Sequence, residues 1–309
     1  MNFCVIGPGA MGCLFAGSLA RNGYTTVILD YKSERARIIQ ERGISIEGPD
    51  GDTIVQKIRT TTEPKDVGMV DVIIICVKSY DTERAALEAL DIAGPETLIV
   101  TLQNGIGNVE VLLSGLPDAS IVAGITSHGA TVLDVGKVKH AGIGDTFLGL
   151  VAGEGGKLNE FAAAMQKAGF ANKTVDNIQD LLWSKLIVNV GINALTAITR
   201  LKNGELIQHA DTEALLEKVV QEAVQVGKRE GVNFIYEDPL AQVKKVCELT
   251  AANVSSMLQD ILRRKKTEIE FINGAIVERG IRLAIPTPVN DVLTRLVRTI
   301  QSTYTNQQA

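Results

Sequence analysis

The chain has 309 residues, of which 45% are hydrophobic and 22% charged, and these proportions exclude a disordered, collagenous or disulfide-stapled chain. Its formal net charge of -5 gives no general attraction toward phosphate backbones or anionic lipid surfaces, so we expect neither nucleic acid nor membranes as partners. No stretch approaches the ~20 uninterrupted apolar residues of a membrane span, and no basic segment precedes the first apolar run. We therefore expect a cytoplasmic protein of two domains.

The four cysteines and three histidines form no pattern typical of a metal site or a disulfide framework. Cys4, Cys13 and Cys76 lie in or beside apolar segments, where a reduced thiol packs like a small hydrophobic side chain. We expect buried structural thiols and no metal site.

Short apolar runs alternate with helical patterns through the first half of the chain. Strands are predicted at 3–6, 26–29, 70–77 and 98–102, and helices at 10–21, 33–41 and 81–90. This alternation is typical of βαβ units, and it predicts a parallel sheet in an α/β domain.

Two β-rich stretches interrupt this series. Apolar segments at 44–46 and 53–58 flank Gly48-Pro49-Asp50-Gly51, which favours a turn, so a hairpin is predicted there. Glycine-punctuated strands, among them 137–140 and 146–150, follow between residues 121 and 150. We expect these later strands to extend the far edge of the sheet.

After about residue 155 the pattern is helical. Helices are predicted at 158–168, 177–199, 212–230, 239–262, 268–279 and 288–300. The polar stretch at 169–177 is the candidate boundary. The predicted division is an α/β dinucleotide-binding domain at 1–171 and an all-helical substrate-binding and catalytic domain at 172–309.

A glycine-rich loop follows the first strand directly and begins the first helix. In this pattern the first glycine makes the tight turn, the second lets the backbone approach a pyrophosphate, and the third lets helix and strand pack closely. The helix N-terminus faces the anion. We therefore predict that the loop binds a dinucleotide through Gly7, Pro8, Gly9, Ala10, Met11 and Gly12.

The residues after the second strand bear on the choice of dinucleotide. Asp30 ends that strand, where a carboxylate accepts hydrogen bonds from an adenosine ribose and favours NAD. Lys32, Arg35 and Arg37 follow and could offset a 2′-phosphate, although a solvated helix face explains the same three residues. The residues alone leave NAD and NADP open.

Lys78 and Gln103-Asn104-Gly105 end the strands at 70–77 and 98–102. They therefore lie at the carboxyl edge of the sheet, where open α/β sheets bind their ligands. A surface lysine and a plain turn are the alternative interpretations.

Three polar residues form a stripe in an otherwise apolar helix of the second half. Lys185, Asn189 and Asn193 fall at positions i, i+4 and i+8, on one side of that helix. Unsatisfied buried polar groups cost about 1–3 kcal/mol each, so the stripe needs either a polar ligand or a hydrogen-bond network within the protein.

A second polar cluster follows in the predicted helix at 239–262 and beyond it. Ser256 and Glu268 would be about 120° apart on a continuous helix, so they would contact one ligand only if the helix bends or ends between them. Taken alone, Ser255 and Ser256 are typical of an N-cap, Glu268 of a solvated acid, and the basic run 263–266 of an exposed face.

Taken together, these motifs resemble the ketopantoate reductase (2-dehydropantoate 2-reductase) family. The resemblance covers nearly the whole chain and extends to Asn203-Gly204-Glu205-Leu206 and Ile272-Asn273-Gly274. It implies a Rossmann-type domain followed by a helical domain of the 6-phosphogluconate dehydrogenase C-terminal type, with catalysis in the cleft between them. It also implies reduction of 2-dehydropantoate to (R)-pantoate with NADPH, in the pathway to pantothenate and coenzyme A.

The resemblance further implies roles for individual residues. Lys185 would be the general acid, and Glu268 its catalytic partner, which also lies near the cofactor. The substrate would be bound by Asn104, Asn189, Asn193, Asn203 and Ser256. Besides the glycine-rich loop, the cofactor would be contacted by Lys78, Asn104, Ala130 and Glu268, and Lys32 is a further candidate from the residues themselves. Relatives often carry an arginine shortly after the second strand, whereas this chain has Lys32, and Asp30 keeps NAD open.

The implied chemistry agrees with the residues. Hydride arrival at a ketone carbon builds negative charge on its oxygen, and Lys185 can donate the compensating proton. Desolvation would lower the pKa of Lys185, whereas Glu268 would raise it, and the sequence leaves that balance open. A reductase of another branched 2-oxo acid and a non-catalytic dinucleotide sensor are the alternative functions. The apolar helices could also form a homodimer interface, and burial within one subunit explains them equally well.

Overall fold

The structure is a computed structural model that describes residues 1–48, 51 and 53–304. The chain forms two compact units, one comprising Met1–Gln103 and Asn108–Ile178 and the other Asn104–Gly107 and Gln179–Ala309. The first unit therefore extends beyond residue 171, where the predicted first domain ends, because the segment after that residue still contributes a strand to its sheet.

The first unit contains twelve strands and five α-helices among the described residues. In chain order they are β1 (Asn2–Ile6), α1 (Ala10–Arg21), β2 (Thr25–Leu29), α2 (Ser33–Arg42), β3 (Ile44–Glu47), β4 (Thr53–Gln56), β5 (Arg59–Thr61), β6 (Val72–Ile75), α3 (Thr82–Leu90), β7 (Leu98–Thr101), α4 (Asn108–Gly115), β8 (Ser120–Thr126), β9 (Gly129–Asp134), β10 (Lys137–Gly142), β11 (Thr146–Ala152), α5 (Leu158–Lys167) and β12 (Asn172–Thr174). Short 3₁₀ turns at Pro64–Asp66 and Ser79–Asp81 precede β6 and α3.

The main sheet has eight strands in the order β12-β11-β8-β7-β6-β1-β2-β5. Its strands from β5 to β8 are parallel, and their order is that of a Rossmann fold. Strand β11 runs antiparallel to β8, and β12 continues the sheet. This confirms the predicted α/β class. The strand order reverses between β1 and β6, so the loops after these strands lie at the point where such sheets bind ligands.

The sheet is buried on both faces, which is why its strands are continuous apolar runs. Along β1, Phe3 and Val5 belong to one hydrophobic cluster, whereas Cys4 and Ile6 belong to another. Side chains alternate between the faces of a strand, so these two clusters are the cores on either side of the sheet. All four cysteines carry free thiols. Burial raises the pKa of the Cys13 thiol to about 12, as expected for a structural cysteine.

The predicted hairpin at 44–58 is confirmed, because β3 and β4 pair antiparallel. Pro49 and Asp50 of its predicted turn lie outside the described residues. The prediction that all strands between 121 and 150 extend the main sheet is wrong for β9 and β10. They form a second sheet in the order β4-β3-β10-β9, in which β10 pairs parallel with β3.

The physical reason for this second sheet is the apolar face that the two hairpins share. Ile44 and Ile46 of β3 and Val138 of β10 are buried in the same cluster as Leu14 of α1. Neither hairpin could bury that face alone, and pairing them lets both pack against α1.

The second unit is helical. Its elements are α6 (Ile178–Thr199), a 3₁₀ turn at Asn203–Ile207, α7 (Ala210–Arg229), α8 (Pro239–Leu249), α9 (Ser256–Leu262), a 3₁₀ turn at Ile269–Phe271, α10 (Asn273–Leu283) and α11 (Pro288–Ser302). Among the helices that the structure describes, α6 alone is long and apolar enough to cross a membrane by composition, yet 72% of that apolar window is buried inside the structure. It is the central helix of the unit's hydrophobic core.

The prediction of one helix over 239–262 is wrong, since α8 ends at Leu249 and α9 begins at Ser256. The backbone between them accepts hydrogen bonds from another segment instead. Asn203 donates its N–H to the Asn253 carbonyl at 3.1 Å, and Gly204 donates to the Ala251 carbonyl at 3.3 Å. The predicted helix at 268–279 likewise begins later, because a 3₁₀ turn precedes α10.

Candidate active site

The glycine-rich loop has the geometry that a dinucleotide requires. Gly7 has a φ of +97° and donates its N–H to the Leu29 carbonyl at 3.0 Å, which ties the loop to the end of β2. A methyl group on Gly12 would overlap with the Gly7 carbonyl oxygen, so only glycine lets α1 pack so closely on the loop. Gly9 is different, since a methyl group there would meet no atom nearer than the Cys76 carbonyl oxygen at 3.9 Å.

The crest of this loop is open to an anion. Gly9, Ala10 and Met11 are half-buried, whereas Pro8 lies buried beneath them with its carbonyl oxygen 3.4 Å from the Cys13 thiol. Gly9 is the N-cap of α1 and provides no side-chain cap. The first N–H groups of α1 therefore keep their capacity to bind a phosphate, which fits a nicotinamide dinucleotide.

Asp30 is held by its own neighbours. Both oxygens of its buried carboxylate accept hydrogen bonds from Arg35, each at 2.5 Å, and one also accepts the N–H of Lys32 at 3.2 Å. A solvated helix face was one interpretation of Arg35, and it is wrong for this residue, although it fits Arg37, which pairs with Glu41 on the exposed side of α2. The bidentate pair offsets the charge of Asp30.

Three cationic side chains lie near the ring of Tyr31, which follows β2. Tyr31 is 47% exposed, and the centroid of its ring lies 3.9 Å from the Arg84 guanidinium, 5.4 Å from the Lys32 ammonium and 5.8 Å from the Arg35 guanidinium. Arg84 lies in α3, the helix that follows β6, so residues from the segments after two different strands meet here. The side chain of Lys32 is exposed. This cluster could attract an additional phosphate.

Lys78 and Gln103 follow β6 and β7, and the structure brings their loops together. The Gln103 side-chain amide donates to the Val77 carbonyl at 2.9 Å and to the Thr82 hydroxyl at 2.9 Å. Lys78 is half-buried at the start of the turn that precedes α3. Ala130 is half-buried on β9, opposite His140 of β10.

The polar stripe of α6 is partly enclosed. Lys185 and Asn189 are half-buried, and Asn193 is buried. The Asn189 side-chain nitrogen is buried, and among the described residues it has no hydrogen-bond partner. A buried amide without a partner is costly, so this donor is suited to a ligand oxygen.

The structure brings Lys185 and Glu268 together within the second unit. Desolvation lowers the pKa of the Lys185 ammonium to about 8, and the Glu268 carboxylate opposes that shift by favouring the charged form. Glu268 is buried, so its interpretation as a solvated acid is wrong. The Lys185 ammonium can therefore release its proton at a pH close to neutrality.

Helix α9 ends before Glu268, which removes the 120° separation that a continuous helix would impose. Ser255 caps α9 by accepting the Leu258 N–H at 3.1 Å, and its hydroxyl also lies 2.7 Å from that of Thr196. The N-cap interpretation is therefore confirmed for Ser255. Ser256 is exposed at the first position of the helix.

Asn203 is buried at the start of its 3₁₀ turn. Its side-chain nitrogen donates to the Thr250 hydroxyl at 2.9 Å, whereas its side-chain oxygen is buried and, among the described residues, accepts no hydrogen bond. The backbone of the same turn donates the hydrogen bonds to Ala251 and Asn253 that separate α8 from α9.

Sequence reasoning missed three contributors. Thr196 lies three residues after Asn193 on the same face of α6, so extending the stripe could have found it. The charge pattern presents Arg35 only as one of three cations after β2, although its spacing from the end of that strand allows it to reach Asp30. Nothing in the sequence indicated the backbone contact of Phe271 with the loop after β7. Among the described residues, no group of three or more His, Cys, Asp or Glu side chains could hold a metal ion.

Comparison with known proteins covers both units. The family model described as ketopantoate reductase PanE/ApbA matches residues 3–153, and the one described as ketopantoate reductase PanE/ApbA C terminal matches residues 177–301. A 2-dehydropantoate 2-reductase of Halobacterium salinarum is 38% identical over 302 residues, which are 97% of this chain and 99% of that protein.

Solved structures agree with these matches. The crystal structure of a PanE/ApbA family ketopantoate reductase from Ralstonia eutropha JMP134 has a TM-score of 0.91 and 33% identity, with 100% of both chains covered. D-mandelate dehydrogenase with NADH and anilino(oxo)acetate has a TM-score of 0.90 and 26% identity, covering 98% of this chain and 99% of that one. These matches confirm the resemblance drawn from the motifs, and the chain belongs to the ketopantoate reductase PanE/ApbA family.

Proposed function

We propose that this protein is a 2-dehydropantoate 2-reductase that reduces 2-dehydropantoate to (R)-pantoate with NADPH, in the pathway to pantothenate and coenzyme A. The observation that carries the proposal is the pairing of Lys185 with Glu268, in which desolvation lowers the pKa of the lysine to about 8. The names and lengths of the curated relatives support the same substrate.

In this proposal Lys185 is the general acid. A reduced nicotinamide, when bound, supplies the hydride that the ketone carbon receives. The Lys185 ammonium donates its proton to the ketone oxygen as negative charge develops there. Glu268 favours the charged form of Lys185 and so keeps the acid protonated near neutral pH.

The asparagines and Ser256 bind and orient the substrate. The buried nitrogen of Asn189 is a donor for the hydroxyl or carboxylate oxygens of 2-dehydropantoate. Asn193 lies one helical turn further on and extends the same polar stripe. We assign Asn104, Asn203 and Ser256 to the same substrate, as the family resemblance implies.

The choice of NADPH rests on the charges beyond β2. A free Asp30 carboxylate would repel a 2′-phosphate, but Arg35 engages both of its oxygens. Lys32 stays exposed beside Tyr31 and can attract the phosphate as a point charge. The remaining cofactor contacts in this proposal are the glycine-rich loop, Lys78, Asn104, Ala130 and Glu268.

A second candidate is an NADH-dependent reductase of another 2-oxo acid. Two observations favour it, namely Asp30, the acid that directly follows β2, and the similarity to D-mandelate dehydrogenase, whose structure contains NADH. Substrate preference among 2-oxo acids depends on apolar contacts that are worth only about 1–3 kcal/mol each, so relatives of one fold can differ in it.

We further propose that residues 1–171 form the dinucleotide-binding domain and residues 172–309 the substrate-binding and catalytic domain, with Asn104 also assigned to the substrate and Glu268 to the cofactor. The enzyme acts in the cytoplasm on a small molecule rather than on nucleic acid or a membrane. The net charge of -5 supports the last point. A homodimer formed through the apolar helices is compatible with this function.

The test is the loss of absorbance at 340 nm with 2-dehydropantoate and NADPH or NADH, beside a panel of other 2-oxo acids. We expect turnover with 2-dehydropantoate and a fall of about 10²–10⁴-fold in kcat for Lys185→Ala. Lys218→Ala removes an exposed lysine of α7 and is the matched control. Dinucleotide binding without turnover of any 2-oxo acid would instead indicate a sensor.

A further inference from the structure

The loop after β7 is anchored to the helical unit. Residues Asn104–Gly107 belong to that unit, although β7 and α4 on either side of them belong to the first. Ile106 is 7% exposed and lies in the same hydrophobic core as Trp183 and Ile269. Its N–H donates to the Phe271 carbonyl at 3.0 Å.

Gly105 makes this attachment possible for two reasons. Its φ is +80°, a conformation that residues with a side chain rarely adopt. In addition, a methyl group at this position would overlap with the Phe271 carbonyl oxygen and would lie 2.9 Å from the Phe271 Cβ atom. Any side chain at position 105 would therefore push the loop away from the acceptor that Ile106 uses.

The acceptor lies on the turn that follows Glu268. Phe271 is the last residue of the Ile269–Phe271 turn and donates its own N–H to the Glu268 carbonyl at 3.0 Å. A short series of backbone hydrogen bonds thus runs from Glu268 through Phe271 to Ile106. Asn104 directly precedes Gly105 in this loop. The hydrogen bond of Ile106 to Phe271 therefore also determines the position of Asn104.

We propose that Gly105 is a positioning residue, which holds Asn104 in fixed register with Glu268 and Lys185. This inference rests on the proposed function for its catalytic consequence. Gly105 does not touch the reacting atoms in this proposal, and it acts only through Asn104. A displacement of about 1 Å in a substrate-binding group can cost roughly 10²-fold in rate, so a small shift of the loop is sufficient.

The same loop provides a matched control. Gly107 also has a positive φ, +101°, but a methyl group there would meet the Phe271 ring at 3.7 and 3.9 Å, which is ordinary contact. Gly105→Ala and Gly107→Ala therefore both place a side chain on a residue with positive φ. Only Gly105→Ala also forces the loop off the Phe271 carbonyl.

The first measurement is hydrogen exchange by mass spectrometry on the full chain, without substrate. We expect the Ile106 amide to lose protection in Gly105→Ala and to keep it in Gly107→Ala, while α6 stays equally protected in both variants. Equal protection of Ile106 in the two variants would overturn the attachment.

The second measurement is a double-mutant cycle with Asn104→Ala, read as kcat/KM for the 2-oxo acid. We expect a fall of about tenfold or more for Gly105→Ala and less than about threefold for Gly107→Ala. Because Gly105 acts through Asn104, Asn104→Ala/Gly105→Ala should be no slower than Asn104→Ala alone. Two falls that multiply would identify a merely structural role and overturn the positioning role.

The wild-type enzyme separates this inference from the proposed function. If it turns over another 2-oxo acid but not 2-dehydropantoate, the proposed substrate is wrong, and the cycle is measured with the acid that reacts. If it turns over none, the catalytic role of Gly105 fails with the proposed function. The hydrogen-exchange comparison still decides whether the loop is held by Phe271.

Discussion

Two opposing effects set the pKa of Lys185, namely its burial and the nearby Glu268 carboxylate. Burial of the ammonium lowers its pKa to about 8, while Glu268 limits the fall. A general acid must be protonated to act, so activity should be retained below pH 8 and lost as the pH rises through that value. In our proposal, Glu268 thus extends the active pH range of the enzyme toward alkaline pH.

Replacing that carboxylate should narrow the range. In Glu268→Gln we expect the alkaline limb of the kcat–pH profile to move to lower pH, because the amide no longer favours the charged lysine. Glu270→Gln is the control, since Glu270 pairs with Arg298 instead. A profile that keeps its wild-type limb in Glu268→Gln would show that Glu268 does not govern the protonation of Lys185.

Arg35 is the residue on which the choice of dinucleotide depends in our proposal. Arg35→Leu leaves the buried Asp30 carboxylate without its bidentate partner, and the uncompensated charge should repel a 2′-phosphate. We expect the ratio of kcat/KM for NADPH to that for NADH to fall by about tenfold or more. The exposed Arg37, changed to Leu on the same helix, should leave the ratio unaltered. A ratio that rises in Arg35→Leu would contradict the role given to Asp30.

At the scale of elements, α9 depends on a single serine for its start. Ser255 caps the helix and also reaches Thr196 of α6, so Ser255→Ala should lower the free energy of unfolding by about 0.5–2 kcal/mol. Ser256→Ala is the matched comparison, because this exposed neighbour provides no cap. It should leave stability within about 0.5 kcal/mol and raise KM for the 2-oxo acid instead. Urea denaturation and steady-state kinetics together check both outcomes, and equal destabilisation by the two variants would refute the difference.

The elements also show where sequence reasoning succeeds and where it stops. The parallel strands and α6 are long apolar runs whose period is set locally, and they were predicted well. The break after Leu249 was not, because 250–255 is compatible with a helix and only the hydrogen bonds from Asn203 and Gly204 decide against it. The alternation of apolar and polar residues along β10 is likewise the same whichever sheet the strand joins, so the sequence does not predict its sheet.

The same distinction between local patterns and distant contacts applies to the candidate site. Spacing on one helix was enough to group Lys185, Asn189 and Asn193, since the helical period is fixed. Contacts between segments far apart in the chain have no such local signature. The burial of Glu268 and the contact of Gly105 with Phe271 therefore became visible only in the structure.

At the scale of the whole molecule, two histidines connect the sheets of the first unit. His128 follows β8 of the main sheet, and its Nδ1 atom lies 2.9 Å from Nε2 of His140 on β10. Phe170 packs against the His128 ring, with centroids 5.0 Å apart. Burial lowers the pKa of both imidazoles, although Asp145 opposes the shift at His128 and the Gly142 backbone opposes it at His140.

This pair should make the protein less stable in acid. The unfolded chain takes up protons near pH 6.5, before the folded imidazoles do, so stability should fall as the pH drops from about 7 to 5. His140→Gln should reduce this pH dependence of the melting temperature, and the exposed His209, changed to Gln, should not. A pH dependence that His140→Gln leaves unchanged would exclude the pair as its source.

The second sheet also sets the order in which a newly made chain can fold. Ser45 of β3 pairs with Lys137 of β10, so the ribosome must add β5 through β9 before the partner of β3 exists. At ordinary rates of synthesis this takes from several to about twenty seconds. During that interval the β3–β4 hairpin has an open edge, which can pair with a neighbouring nascent chain. The interval between the synthesis of these two hairpins is therefore a period in which aggregation can begin at an unpaired strand.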